Sequence, residues 1–411
     1  MALGRGTGVD SRRAWIAATA ALAILVVAHG APLVSVVALK VIAQDLGTSR
    51  GGPSAVPALV YVGAAVGGIV AGWLAGRMGA RLVVLFGGVM IAAGLFVSSL
   101  GGLSTLYVGH GLLIGLFGAS CMMSPLLTYV SLWFERSRGQ AVALISSGQS
   151  LAGVVWPMLL EALIADHGWR LTMQAFAVIA LVVVTVLALL FLHAPPEVAA
   201  GPATHAGTAD GRGQVLGLPS NTVMILLMLA VVCCCIPMAM PLQHVVAFCG
   251  DLGIQRGAAM LSVLLALAFA ARQFWGWLSD RIGGLKTLLW SSLAQAVTLS
   301  GFLVTRNEAA LFGVSAAFGF AFAGLLPAYV IAIRELFPAR EASWRVPVWA
   351  FAGYIGMAAG GWGAGLMYDA YGYYGAAFGV GLVINQLNLA ILAFLVYRQS
   401  RHDNRPLGQP A

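Results

Sequence analysis

Gly72-Trp73-Leu74-Ala75-Gly76-Arg77-Met78-Gly79 returns later in the chain as Gly276-Trp277-Leu278-Ser279-Asp280-Arg281-Ile282-Gly283. Each copy sits between two long uncharged stretches, so each reads as a short Gly-containing turn joining two apolar segments. Two further echoes fall at a nearly constant offset. Asp45-Leu46-Gly47 returns as Asp251-Leu252-Gly253, and Trp133-Phe134-Glu135-Arg136 finds a weaker partner in Leu336-Phe337-Pro338-Ala339-Arg340. Three echoes in corresponding loops predict an internal duplication whose halves share one orientation.

Composition says what solvent those halves meet. The 411 residues are 60% hydrophobic and only 9% charged, with a mean hydropathy of +0.91, against about 25% charged in soluble proteins. So few charges cannot cover a water-soluble body of this size. A cytosolic enzyme, a disordered chain and a nucleic-acid-binding domain are excluded on this ground. The net charge of +8 comes from basic residues scattered singly, which is no nucleic-acid footprint. Cys121, Cys233, Cys234, Cys235 and Cys249 lie in apolar stretches and read as small core residues, neither a disulfide framework nor a metal site.

A bilayer crossing needs about 20 mostly apolar residues. Such windows occur at Ala14–Leu39, Ser54–Gly76, Gly139–Leu160 and Leu171–His193. Leu82–Phe134 is too long for one helix and is divided by Ser98-Ser99-Leu100-Gly101-Gly102. The second half offers Asn221–Gly250, Gly257–Ser279, Thr287–Thr305, Ala309–Ile333, Val346–Tyr368 and Tyr373–Tyr397. The expected fold is thus an all-α membrane protein of twelve transmembrane helices in two parallel-repeat six-helix bundles. The first bundle is expected over 1–193 and the second over 221–411. Residues 194–220, rich in Pro, Gly, Ala and Thr, are expected to be a flexible cytoplasmic linker. Counting Lys and Arg orients the chain: sixteen fall in loops on the N-terminal side of the membrane, five on the other, and Arg272 stays within a span. Both termini are therefore expected in the cytoplasm of a multi-pass cell-membrane protein. Arg12-Arg13 precedes an apolar run too long for a signal-peptide core, so the first helix is expected to be retained.

The Gly-x-Leu-x-Asp-Arg-x-Gly pattern ending at Gly283, with its relic ending at Gly79, resembles the signature loop of the major facilitator superfamily. The resemblance covers essentially the whole chain. It implies a carrier in which Asp280, Arg281 and Arg77 form a cytoplasmic gate between the bundles. One departure is Gly76, where the family usually has Asp. Ala271-Arg272-Gln273-Phe274-Trp275-Gly276, together with Trp133–Gly139 and His167-Gly168-Trp169-Arg170, further resembles the monocarboxylate porter and oxalate/formate antiporter branches. There, an Arg four residues before the Gly contacts the substrate carboxylate. The Asp that animal-type monocarboxylate porters carry one turn earlier is Ala268 here. The Lys that oxalate exchangers carry on the eleventh span is absent.

Arg272 lies eight residues before Asp280, roughly 12 Å deeper at 1.5 Å per residue. A charge at that depth costs about 2.5–3.5 kcal/mol and faces a cavity or a partner. With no acid at matching depth on its own helix, the guanidinium invites an anion, and its planar fork suits a carboxylate. The structural alternative is a bond to backbone carbonyls, or snorkelling toward the cytoplasm. Tyr61, Gln149, His244, Trp349 and Tyr354 are the further candidate substrate contacts. His29, His244 and Glu161 are the candidates for proton coupling, since a titratable group is needed. Each also has an ordinary structural reading. Gly63–Gly72 and Gly353–Gly365 read as close helix packing.

The expected function is secondary transport of a small organic anion, a monocarboxylate, by alternating access, with a proton as a candidate co-substrate. No cofactor and no nucleic-acid partner are expected, and the unit is expected to be a monomer in the lipid bilayer. Two alternatives stay open: proton-driven efflux of lipophilic compounds, and a non-transporting receptor on the same scaffold. No nucleophile–base constellation points to an enzyme.

Overall fold

The computed structural model describes residues 9–134, 137–194 and 214–403. Most of the expected linker, together with Arg5, Glu135, Arg136, Arg212 and Arg405, lies outside the described residues.

The first half opens with α1 (Arg12–Val37), the short α2 (Leu39–Asp45), α3 (Gly51–Met78) and α4 (Ala80–Ser99). Ser11 caps α1 by accepting from the Ala14 N–H at 3.2 Å, which satisfies one of the donors a helix start leaves free. α4 ends at the Ser98–Gly102 turn, as the sequence predicts. Then come α5 (Leu103–Tyr107), a π-helical stretch (Val108–Gly118), one 3₁₀ turn (Ala119–Cys121) and α6 (Met123–Ser131), which together make one crossing-length rod. α7 (Arg138–Ser146) and α8 (Gly148–Phe191) complete this half.

The second half contains α9 (Ser220–Asp251), α10 (Gly257–Ile282), α11 (Gly284–Val304), α12 (Glu308–Phe322), α13 (Leu325–Leu336), α14 (Ala339–Tyr371) and α15 (Gly375–Asp403). α9 runs through Pro237 and Pro241 without a break. One departure from an all-helical chain precedes it. β1 (Gln214–Val215) and β2 (Leu218–Pro219) form a two-stranded antiparallel hairpin within the stretch expected to be linker. Arg398 of α15 pins its turn through the carbonyls of Leu216 and Gly217, at 3.2 and 2.8 Å.

Among the described residues, ten helical segments are long and apolar enough to cross a bilayer. One of them, residues 140–191, is 52 residues long, about 78 Å at 1.5 Å per residue and more than twice the hydrocarbon thickness. It turns at Gly168, with φ 78° and ψ 161°. The expected count of twelve rests on taking that turn as a loop and the 33-residue α14 as a crossing.

The echoed loop is a one-residue turn in both halves. Gly79 joins α3 to α4 at φ 83°, ψ 148°, and Gly283 joins α10 to α11 at φ 86°, ψ 162°. Only glycine takes that backbone region without strain, which explains why both copies end on it.

Each half has its own apolar core. Leu25, Ile91, Phe176 and Val184 belong to the first, and Leu227, Leu264, Phe302 and Phe378 to the second. The halves meet along two main seams, α3 against α14 and α8 against α10. Small residues bring helices together as the sequence predicts. A Cβ on Gly356 of α14 would lie 2.9 Å from the Val232 carbonyl oxygen of α9, and one on Gly63 of α3 would lie 2.5 Å from that of Gly111.

Candidate functional site

The α8/α10 seam holds Arg272. Its Nη1 donates to the Ser146 carbonyl at 2.8 Å, and its Nη2 donates to Ser150 Oγ at 3.3 Å. Both acceptors belong to the opposite half. The first is available because α7 stops at Ser146 and α8 restarts at Gly148; a helix end leaves its last carbonyls without intrahelical partners. The third nitrogen, Nε, is buried and has no partner among the described residues. No Asp or Glu among the described residues lies within ion-pair distance of the guanidinium. A charge held only by neutral acceptors in an apolar seam retains a strong appetite for an anion. The carbonyl bond of the structural alternative therefore exists, and it leaves the Nε–H without a partner among the described residues.

Tyr61 of α3 and Tyr354 of α14 meet across the other seam, with ring centroids 6.0 Å apart and planes 30° apart. Trp349 is buried in the second half, 5.2 Å from the Tyr329 ring. Its Nε1 has no partner among the described residues. Gln149 is exposed, and the α8 side chain that reaches Arg272 is its neighbour Ser150. Helical geometry turns adjacent residues to different faces, which separates the two.

The two histidines among the proton-coupling candidates are used differently. His29 is half-buried, and its Nδ1 bonds the Leu25 carbonyl of its own helix at 2.9 Å. His244 is fully buried. Its Nδ1 lies 3.1 Å from the Tyr374 hydroxyl and its Nε2 2.7 Å from the Gly361 carbonyl. Both ring nitrogens of His244 are thus committed to α14 and the α14–α15 turn, which leaves neither for a substrate in this state. Glu161 on α8 faces the backbone N–H of Ala258, in the first turn of α10.

In this state no ion pair among the described residues joins Asp280, Arg281 or Arg77 to the other half. All three side chains are exposed. The Arg77 guanidinium stacks 4.1 Å from the Trp73 ring and that of Arg281 4.0 Å from Trp277. Each arginine lies one turn beyond its own tryptophan, so the stacking is intrahelical and repeated in both copies of the loop. The acid that braces this turn is Glu335, which accepts from the Gly284 N–H at 2.9 Å.

Sequence reasoning passed over a cluster at the other end of α3. Arg50 binds both carboxylate oxygens of Asp251, each at 2.5 Å, and the Tyr374 hydroxyl at 3.1 Å. Asp369 accepts from the backbone N–H groups of Arg50 and Gly51, at 2.7 and 2.6 Å. Burial opposes the Arg50 charge, but the bonds to Asp251 and Tyr374 outweigh it and raise its pKa above the usual Arg value. Burial also raises the Tyr374 phenol, with Arg50 opposing. These charges count as loop residues in the sequence; the one available signal is the Asp45/Asp251 echo.

The Major Facilitator Superfamily profile matches residues 16–273 and 251–411. The human protein named monocarboxylate transporter 11 is 26% identical over 386 residues, which cover 92% of this chain and 75% of that one. The Agnestins efflux protein AgnL12 of Paecilomyces divaricatus is 28% identical over 253 residues, 60% of this chain and 55% of that one. Against several fungal relatives the match spans only 55% to 60% of their length. Among solved structures, a bacterial homolog of the human lysosomal transporter Spinster, in an inward-facing and unoccupied conformation, superposes with a TM-score of 0.68. It shares 15% sequence identity, over 95% of this chain and 96% of that one.

Proposed function

The chain belongs to the Major Facilitator Superfamily, and from that membership we propose that it is a secondary transporter of a small organic monocarboxylate, working by alternating access. The observation that carries the substrate class is Arg272: a guanidinium at the seam between the halves with two neutral acceptors and a buried Nε that has no partner among the described residues. A carboxylate would replace the Ser146 carbonyl and Ser150 hydroxyl with a charge-assisted, bidentate pair. One cation suits one carboxylate. Relatives named as monocarboxylate transporters support this reading. Tyr61, Tyr354 and the Trp349 indole are proposed to meet the rest of the substrate.

We further propose that the Arg50 end faces outward and the Arg77 and Arg281 turns face the cytoplasm, following the bias of basic residues. The cell membrane is the proposed site of action and a monomer the proposed unit. Proton coupling is proposed through His29 or Glu161, because both ring nitrogens of His244 already hold other parts of the fold.

A second reading is export of an organic product, which the Agnestins efflux protein supports as a relative. The same arginine would then select acidic products. The discriminating experiment is a screen in proteoliposomes with labelled formate, lactate, pyruvate and branched short-chain acids, under imposed pH gradients of either sign. Saturable uptake of one acid, responsive to the gradient, supports proton-coupled monocarboxylate transport. Transport of neutral lipophilic compounds in its place would overturn the assignment of substrate class.

A further inference from the structure

The cluster around Arg50 has no part in substrate binding as proposed, yet each of its strongest contacts joins one half of the molecule to the other. Lys40 and Arg50 belong to the first half; Asp251, Tyr368, Asp369 and Tyr374 belong to the second. Arg50 is 9% exposed. Its fork closes on Asp251, and its guanidinium carbon lies 3.8 Å from the centroid of the Tyr368 ring. Lys40 Nζ adds a second cation 3.4 Å from Asp251 and bonds the Gly250 carbonyl at 3.2 Å.

The hydrogen bonds behind Arg50 have a fixed direction. The Gly361 carbonyl can only accept, so His244 Nε2 carries the proton. Nδ1 then accepts from the Tyr374 hydroxyl, and the Tyr374 oxygen is left to accept from Arg50 Nη1. A chain of polarised bonds thus ties the guanidinium of one half to the backbone of α14 in the other.

Each seam has a carboxylate from one half at a helix start of the other. Asp369 of α14 caps the first turn of α3, and Glu161 of α8 lies near the Ala258 N–H in the first turn of α10. A carboxylate at a helix start is favoured by the unpaired N–H groups and by the helix dipole. The two acids occupy corresponding places in the duplicated halves, and each serves the opposite half. Among the described residues, the ion pairs that cross between halves are those of Lys40 and Arg50 with Asp251.

We propose that Arg50, Asp251 and Asp369, backed by Tyr374 and His244, form the latch that shuts the Arg50 end, and that this structure is the state with the latch closed. Glu161 is the matching strut on the second seam. Opening this end requires Arg50 to leave Asp251 and Asp369 to leave the start of α3 together. Calling the cluster a gate rests on the alternating-access reading; its physical test does not.

The test uses the full chain in nanodiscs with spin labels at Gln44→Cys and Ala370→Cys. Both positions are exposed at this end, one on each half, while the five native cysteines are buried. The wild type should give one narrow, short-distance population. Arg50→Ala and Asp369→Asn should each raise the ratio of long to short distances by about tenfold or more, and Arg50→Lys should lie between. Should Arg50→Ala fail to elute as folded protein, Asp369→Asn decides, since it removes charge and leaves shape. An unchanged distribution in the folded variants overturns the latch, whatever happens to transport. A shifted distribution in a protein that moves no solute overturns the transport reading and leaves the latch standing.

Discussion

Arg272 and Ser150 come from different halves of the chain, and their side chains meet at 3.3 Å. The contact places the one cation within a span of the second half on a hydroxyl of the first, beside a helix break that also supplies the Ser146 carbonyl. Whatever binds Arg272 therefore competes with a tie between the two bundles.

Ser150 is expected to compete with the acid for Arg272. Ser150→Ala removes one of the acceptors that the carboxylate must displace, a loss of about 1–3 kcal/mol to the unliganded guanidinium. Affinity for the transported acid should therefore rise several-fold, and Ser150→Thr, which keeps the hydroxyl, should stay near wild type. Gln149→Ala, one residue away and exposed, should leave affinity unchanged. Equilibrium binding to the purified protein checks all three; a loss of affinity in Ser150→Ala would speak against the assignment.

The echoed turns should respond to substitution by backbone conformation alone. Gly79 and Gly76 both have open space where a Cβ would go, but only Gly79 has positive φ. Gly79→Ala should cost about 1–3 kcal/mol and lower the apparent Tm. Gly76→Ala should stay within about 0.5 kcal/mol of wild type. Thermal unfolding in detergent measures both.

The latch should be indifferent to moderate alkali. Arg50 and Tyr374 both have raised pKa values in this closed state, the first through Asp251 and Tyr374 against burial, the second through burial. A group whose pKa is raised in one state favours that state fully below its ordinary pKa, and the advantage is lost as pH rises through the raised value. The ordinary tyrosine value is about 10. Besides these two, Lys40, Asp251, Tyr368, Asp369 and His244 face the cluster. Spin-label distances at the Arg50 end should stay constant from about pH 7 to 9 and lengthen only above about pH 10, where the opened state gains from ionising Tyr374. Tyr374→Phe should remove that alkaline step.

The parts of the fold legible in the sequence are those set by local chemistry. Apolar runs mark the helices, Gly79 and Gly283 mark one-residue turns, and a lone Arg272 among apolar residues marks the seam. What stayed hidden depends on which helices become neighbours. Arg50 and Asp251 read as ordinary loop charges until α14 packs against both α3 and α9 and brings them together. The echoed acids show the limit best. Asp45 bonds Arg170 at 3.0 Å and the Trp169 indole at 3.1 Å within the first half, whereas Asp251 crosses to the other half. One motif, copied, has two uses. His29 bonds within its own helix, whereas His244 bonds to α14 and the α14–α15 turn. In this state each arginine of the echoed loops stacks on a tryptophan one turn back on its own helix, a pairing set by local spacing.

The central claim is that Arg272 binds the carboxylate of the transported acid. Its most direct test is the Kd of that acid for purified wild type, Arg272→Lys and Arg272→Gln, measured beside the methyl ester of the same acid. Losing one partner of a buried, hydrogen-bonded charge pair costs about 2–5 kcal/mol, so Arg272→Gln should weaken acid binding at least ~30-fold. Arg272→Lys should lose much of this too, for want of the planar fork, while the ester binds all three proteins equally weakly. Acid binding that is unchanged in Arg272→Gln would contradict the account.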